Sequence, residues 1–197
     1  IATAARAIRD GAPVARAPVP EIPAGETEVF FDLEGSGPEL SDDGVATVNY
    51  LIGSVVRTSG SEQFVPFFAD GPDGEAANTR EFFAWAASPP DPVFYHWHHY
   101  ERTHLTRMAT RFSVPTGRSG LVFGRMVDLS PLTTNAFAFP THGEGLKDIA
   151  RHLGFDWRQD DVDALASVAL YSRWVESNAT DIAVRKKILD YNEDDCR

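Results

Sequence analysis

Cysteine is almost missing from this chain. Cys196 is the single one in 197 residues, so no internal disulfide framework holds the fold together. Long apolar runs are missing too. No stretch reaches the roughly 18 consecutive apolar residues of a membrane-spanning helix, and with one thiol this leads us to expect a soluble, cytoplasmic protein with no membrane partner. Basic residues are scarce: 18 Lys and Arg stand against 29 Asp and Glu, a formal net charge of −11. That balance argues against a surface that coats nucleic acid through clustered cations. It leaves a metal-dependent site open, because bound divalent ions reverse the local sign of the potential. Internal repeats and low-complexity tracts are absent. What is present, 43% hydrophobic residues, suffices for the core of one α/β domain.

The opening stretch "IATAARAIRDGAPVARAPVPEIPAG" (1–25) is rich in Ala, Arg and Pro and lacks the apolar core of a signal peptide. We expect a linker or the edge of a preceding domain there, and one domain over 26–197. Ile1 in place of Met, and the mid-helix character of "YNEDDCR", lead us to expect one domain of a longer protein. "TEVFFDLE" reads as a first strand followed by a Gly-Ser-Gly-Pro breaker. "VATVNYLIGSVV" and "EQFVPFF", joined by "RTSGS", continue an antiparallel meander. "EAANTREFFAWAAS" reads as a helix ended by "PPDP", and "VFYHW" as a buried strand feeding a helix over Tyr100–Arg111. "SVPTGRSG" reads as a loop, and "LVFGRMVDLS" fits a strand and a short helix equally. In "GEGLKDIARHLGF", Leu146, Ile149, Ala150 and Leu153 form a helical stripe capped by Gly154. Helices over about Val162–Ser177 and from Ile182 onward follow, with "SNATD" supplying caps. Strands in a meander, then strands alternating with helices, give an α/β fold: a mixed sheet flanked by helices.

Three stretches carry chemistry. In "FFDLEG", strand period two aims Asp32 and Glu34 at one face while Leu33 points away. Two carboxylates that close repel unless a cation lies between them, and an all-oxygen site favours Mg²⁺ or Mn²⁺. An exposed acidic strand end is the plainer alternative. In "HWHHYERTHL", Glu101 falls near a helix start, where peptide N–H groups favour an anion. In "YNEDDCR", Tyr191 and Asp195 are four apart on one helical face; a solvated acidic helix is the alternative. His96, His98, His99 and His104 crowd into nine residues, but their spacing matches no strong zinc motif and no cysteine joins them. Trp97 suits stacking on an unpaired base as well as a place in the core. Arg102, Arg107 and Arg111 suit a phosphate backbone or a solvated helix face.

A first-strand Asp-x-Glu, a strand-to-helix Tyr-Glu and a late Tyr-x-x-x-Asp, in this order, resemble the three exonuclease motifs of the DEDD superfamily, and the Tyr resembles its DEDDy branch. "FFDLEG", "YHWHHYERTHL", "GLKDIARHLGF" and "ILDYNEDDCR" together resemble the ribonuclease H-like domain attached to predicted RecB-type nucleases, over roughly Glu28–Arg197. The resemblance implies a ribonuclease H-like fold and a 3′–5′ exonuclease using two Mg²⁺ or Mn²⁺ ions. Asp32 would bridge both ions, Glu34 and Asp195 would complete the first, Glu101 would serve the second, and Tyr191 would orient the attacking water. His96, three residues, Tyr100 and Glu101 stand where the family has Asn-x-x-x-Phe-Asp. His96, Trp97, His98 and His99 are candidate substrate contacts. Asp128 and Lys147 resemble recurrent family positions, for which capping, packing or a surface phosphate contact suffice. Implied partners are a single-stranded DNA or RNA end and neighbouring nuclease or helicase domains. A catalytically silent ribonuclease H-like module that binds nucleic acid for such neighbours is the alternative.

Overall fold

Period-two burial along β2 (Thr27–Ser36) sets the layers: Val29, Phe31 and Leu33 are buried on one face, and Phe30, Asp32 and Glu34 occupy the other. A computed structural model describes residues 2–36, 48–159 and 162–197. The expected Gly35–Pro38 breaker and the start of the second strand at Val45 lie partly outside these residues. β2 pairs antiparallel with β3 (Val48–Thr58), which pairs antiparallel with β4 (Ser61–Phe68). On its other side β2 runs parallel to β5 (Pro92–His96), and β5 parallel to β6 (Met126–Asp128). The sheet order is β4-β3-β2-β5-β6. This is the expected mixed sheet of a meander plus parallel strands.

Helices cover both faces. Against Val29, Phe31, Leu33, Ile52 and Phe94 pack Phe82 and Phe83 of α2 (Glu75–Ala86), Leu105 and Met108 of α3 (Tyr100–Arg111), and Val122 of α4 (Thr116–Gly124). On the opposite face Tyr50 and Leu51 meet Tyr171 and Trp174 of α7 (Ala164–Glu176) and Val184 and Ile188 of α8 (Ile182–Cys196). Tyr50 stacks on Tyr171 with ring centroids 4.0 Å apart. Gly53, the register partner of Asp32, permits the close approach of α8: a Cβ there would fall 1.6 Å from Asn192 Oδ1.

Two local expectations change. "SVPTGRSG" is not a loop, since Thr116–Gly120 open α4. Glycines at 117, 120 and 124 hide the helix from propensity, and fully buried Val122 holds it in place. "LVFGRMVDLS" resolves into both of its readings: the end of α4, strand β6, and the start of α5 (Leu129–Ala136), where Asp128 caps the helix by accepting from Ser130 N at 3.0 Å. The helical stripe after Gly145 becomes α6 (Leu146–His152), followed by Gly154 at φ +89. Ile149 is buried as expected, whereas Leu153, just past the helix, is exposed. The 1–25 stretch carries α1 (Ala2–Asp10) and β1 (Val14–Ala15), and β1 pairs antiparallel with β7 (Phe137–Ala138). Arg16 fastens it by bonding the Thr134 carbonyl at 2.6 Å and Glu144 at 3.0 Å.

Candidate functional site

Because β2 alternates, Asp32 and Glu34 rise on the face that α8 crosses. α8 presents Ile188, Tyr191, Asn192 and Asp195 at helical spacing toward that face. Carboxylate oxygens of Asp32, Glu34 and Asp195 lie within 4.8 Å of one another. Oxygens bound to one octahedral Mg²⁺ at about 2.1 Å sit about 3.0 Å apart when adjacent and about 4.2 Å when opposite, so side-chain adjustment within the cluster gathers all three on one ion. Asn192 Nδ2 donates to Asp32 Oδ2 at 2.8 Å and so couples the strand to the helix. Glu34 receives Tyr50 OH at 3.4 Å, and that hydroxyl also meets Ser167 Oγ at 2.8 Å.

Glu101 reaches the site from the first turn of α3. It is buried and near enough to Asp32 to raise that carboxylate, but it lies outside the three-carboxylate cluster. Its Oε2 is buried without a hydrogen-bond partner. His96 Nδ1 is 3.5 Å from that oxygen, and donates instead to the His98 carbonyl at 2.7 Å. An orphaned buried carboxylate oxygen beside three crowded carboxylates fits a divalent cation, which would satisfy all of them.

Helix α6 contributes Lys147. Its Nζ donates to Tyr191 OH at 2.7 Å and is 3.8 Å from Asp195 Oδ1. Trp157 Nε1 donates to the same Oδ1 at 2.7 Å, which leaves Oδ2 of Asp195 the freer atom. The acidic run of α8 is therefore divided among tasks and is not a solvated face. Arg158 takes Asp194 through Nε at 2.7 Å and through its backbone N at 2.8 Å, and takes Glu193 through Nη2 at 2.9 Å.

The electrostatics match this crowding. Burial, then repulsion from Glu34, Asp195 and Glu101, holds Asp32 well above the usual carboxylate range. Burial and Asp195 push Glu34 up to about 8. Burial raises Asp195 as well, against the lowering influence of Lys147, Trp157 and Tyr191. Tyr191 is held neutral by burial and by Asp195, Glu34 and Asp32. Without a cation the site thus favours protons on its carboxylates.

The histidine segment divides. His96 is buried, and His98 and His99 are exposed. His104 packs inward, stacking on Tyr100 and bonding Asn49 Oδ1 at 3.0 Å. Among the described residues these histidines form no metal-ligating group; the carboxylates do. Trp97, His98 and His99 line a cavity of about 600 Å³ together with residues of α5, Asp128, Glu144 and Gly145. His98 adopts φ +72, and its N–H donates to Asp128 Oδ1 at 2.8 Å. Of the arginines, Arg102 bonds the Phe123 carbonyl and Arg111 bonds Glu75.

Carboxylates gathered where the first strand meets the last helix, on a β4-β3-β2-β5-β6 sheet, set the frame for comparison with known proteins. Residues 29–197 match a model of the RNase H superfamily. The chain belongs to the RNase H superfamily. No curated protein and no solved structure gives a significant match. RNase H-like domains are nuclease-type folds that engage nucleic acid and commonly use divalent metals, and no helix among the described residues is long and apolar enough to cross a membrane.

Within this RNase H-like site, sequence reasoning missed Trp157, Asn192, Tyr50 and Ser167, and the contact that Lys147 makes. Lys147 was legible as a recurrent position, and the structure moves it from surface roles to the Tyr191 hydroxyl. Asn192 had a signal in its helical phase, four residues after Ile188 and three before Asp195. Trp157 and Ser167 had none, since each depends on how α6 and α7 fold back.

Proposed function

We propose that this RNase H-like domain is a two-metal-ion 3′–5′ exonuclease of the DEDDy type, acting on single-stranded nucleic acid, DNA by preference, as one domain (26–197) of a larger RecB-type nuclease. The observation that carries the reading is the convergence of Asp32, Glu34 and Asp195, with buried Glu101 against Asp32 and the Tyr191 phenol against Asp195. Asp32, Glu34, Glu101 and Asp195 would hold two Mg²⁺ or Mn²⁺ ions. Bound, such ions lower the pKa of water and offset charge on the leaving 3′ oxygen. Tyr191, neutral and fixed between Lys147 and Asp195, orients water through its oxygen. Trp97, His98 and His99 face the cavity beside the site, where half-buried Trp97 offers a stacking surface for an unpaired base. His96 supports them through the His98 carbonyl.

Digestion of 5′-labelled single strands with Mg²⁺ or Mn²⁺ tests this reading. A ladder shortening from the 3′ end, lost in Asp32→Ala and Asp195→Ala, is expected. Equal activity in wild type and both variants would overturn it.

A further inference from the structure

We infer that Lys147 is a positioning residue of this site: by donating to the Tyr191 hydroxyl it fixes where that oxygen can meet the attacking water. The inference rests on the nuclease reading and goes beyond it, because it assigns a residue and a direction of hydrogen bonding.

A lysine ammonium is donor-only, whereas a phenol has one proton to give and two lone pairs. Lys147 Nζ, 2.7 Å from Tyr191 OH, therefore occupies one lone pair. One lone pair and the phenolic proton are left to meet a water beside the phenol. The position of Nζ is set three ways: by the hydroxyl, by Asp195 Oδ1 at 3.8 Å, and by the Tyr191 and Trp157 rings, whose centroids lie 4.2 Å and 5.6 Å away. Its side chain is only about one-third exposed (32%). The same contacts put a positive charge beside a carboxylate that would hold a cation, so Lys147 orients the phenol at some cost in metal affinity.

That opposition gives the test a signature that a scaffold residue lacks. Lys147→Met and Lys147→Arg, each with and without Tyr191→Phe, are assayed on single strands for kcat and KM. Mn²⁺ binding to each protein is read separately by electron paramagnetic resonance. We expect Lys147→Met to lower kcat about 10- to 100-fold, the scale of a misplaced reacting group, with KM within about twofold. We expect Lys147→Arg, which keeps charge and donors, to recover part of the loss. Lys147→Met added to Tyr191→Phe should cost little more than Tyr191→Phe alone, and Mn²⁺ should bind Lys147→Met as tightly as wild type or tighter. Multiplicative losses in the double variant, an unchanged kcat in Lys147→Met, or weakened Mn²⁺ binding alongside lost activity would each overturn the inference. A wild-type protein that binds Mn²⁺ but cleaves no strand overturns the nuclease reading itself and this inference with it. An active wild type with an unaffected Lys147→Met overturns only the role of Lys147.

Discussion

At the scale of single residues, the carboxylates are the sharpest point of prediction, because their proton affinity and their metal affinity oppose each other. Glu34, at about 8, and Asp32 and Asp195, also raised, bind protons more tightly folded than unfolded. Their stabilising contribution is therefore complete below about pH 4, the usual carboxylate value, and declines as pH rises toward 8. The metal-free protein should show this as a falling Tm between about pH 5 and 8. Millimolar Mg²⁺ should restore more stability at pH 8 than at pH 5, because it replaces protons that high pH has removed. Asp32→Asn removes one charge from the cluster and should raise the metal-free Tm at pH 8 by a few degrees while lowering kcat by more than about 100-fold. A Tm for Asp32→Asn equal to that of wild type at pH 8 would refute the charge-crowding account.

Elements decide which carboxylates meet. The alternation of "TEVFFDLE" showed that Asp32 and Glu34 share a face, and the i, i+4 spacing showed the same for Tyr191 and Asp195; neither pattern states that the two faces meet. That meeting depends on Gly53, where the missing side chain admits Asn192. Gly53→Ala forces α8 away from β3, with a destabilisation of about 1–3 kcal/mol by overpacking. Activity should fall more than stability does, and chemical denaturation set beside a nuclease assay would separate the two. Arg158 offers a second lever on the same helix. Arg158→Ala takes the guanidinium from the buried Asp194 carboxylate and leaves it the backbone N–H of residue 158. We expect a loss of about 2 kcal/mol, below the full cost of a broken buried pair because the arginine is itself half exposed. The β6 region was ambiguous in sequence because three strand residues sit between two glycine-bearing or capped helices, each too short for periodicity to identify. Asp128 resolves it by capping α5 while holding His98 N. Asp128→Ala should cost about 1 kcal/mol and, by freeing the loop that carries Trp97 and His98, raise KM for single strands. An unchanged KM would separate that loop from substrate binding.

For the whole molecule, the sequence made the sheet legible because its strands are long, apolar and punctuated. The meander and the parallel continuation both appear in the order expected. Long-range partnerships stayed hidden: Lys147 on Tyr191, Trp157 on Asp195, and Ser167 beneath Tyr50 join elements that no local pattern relates. Within the late acidic run Arg158 and Arg197 pair Glu193 and Asp194, whereas Asp195 joins Asp32 and Glu34.

Asp32 is bonded by Asn192, 160 positions further along, and the third carboxylate of the cleft comes later still. Until α8 has been made and has docked, β2 displays only a pair of acids, too sparse to retain an ion, so the proposed nuclease would stay idle while the chain is half synthesised.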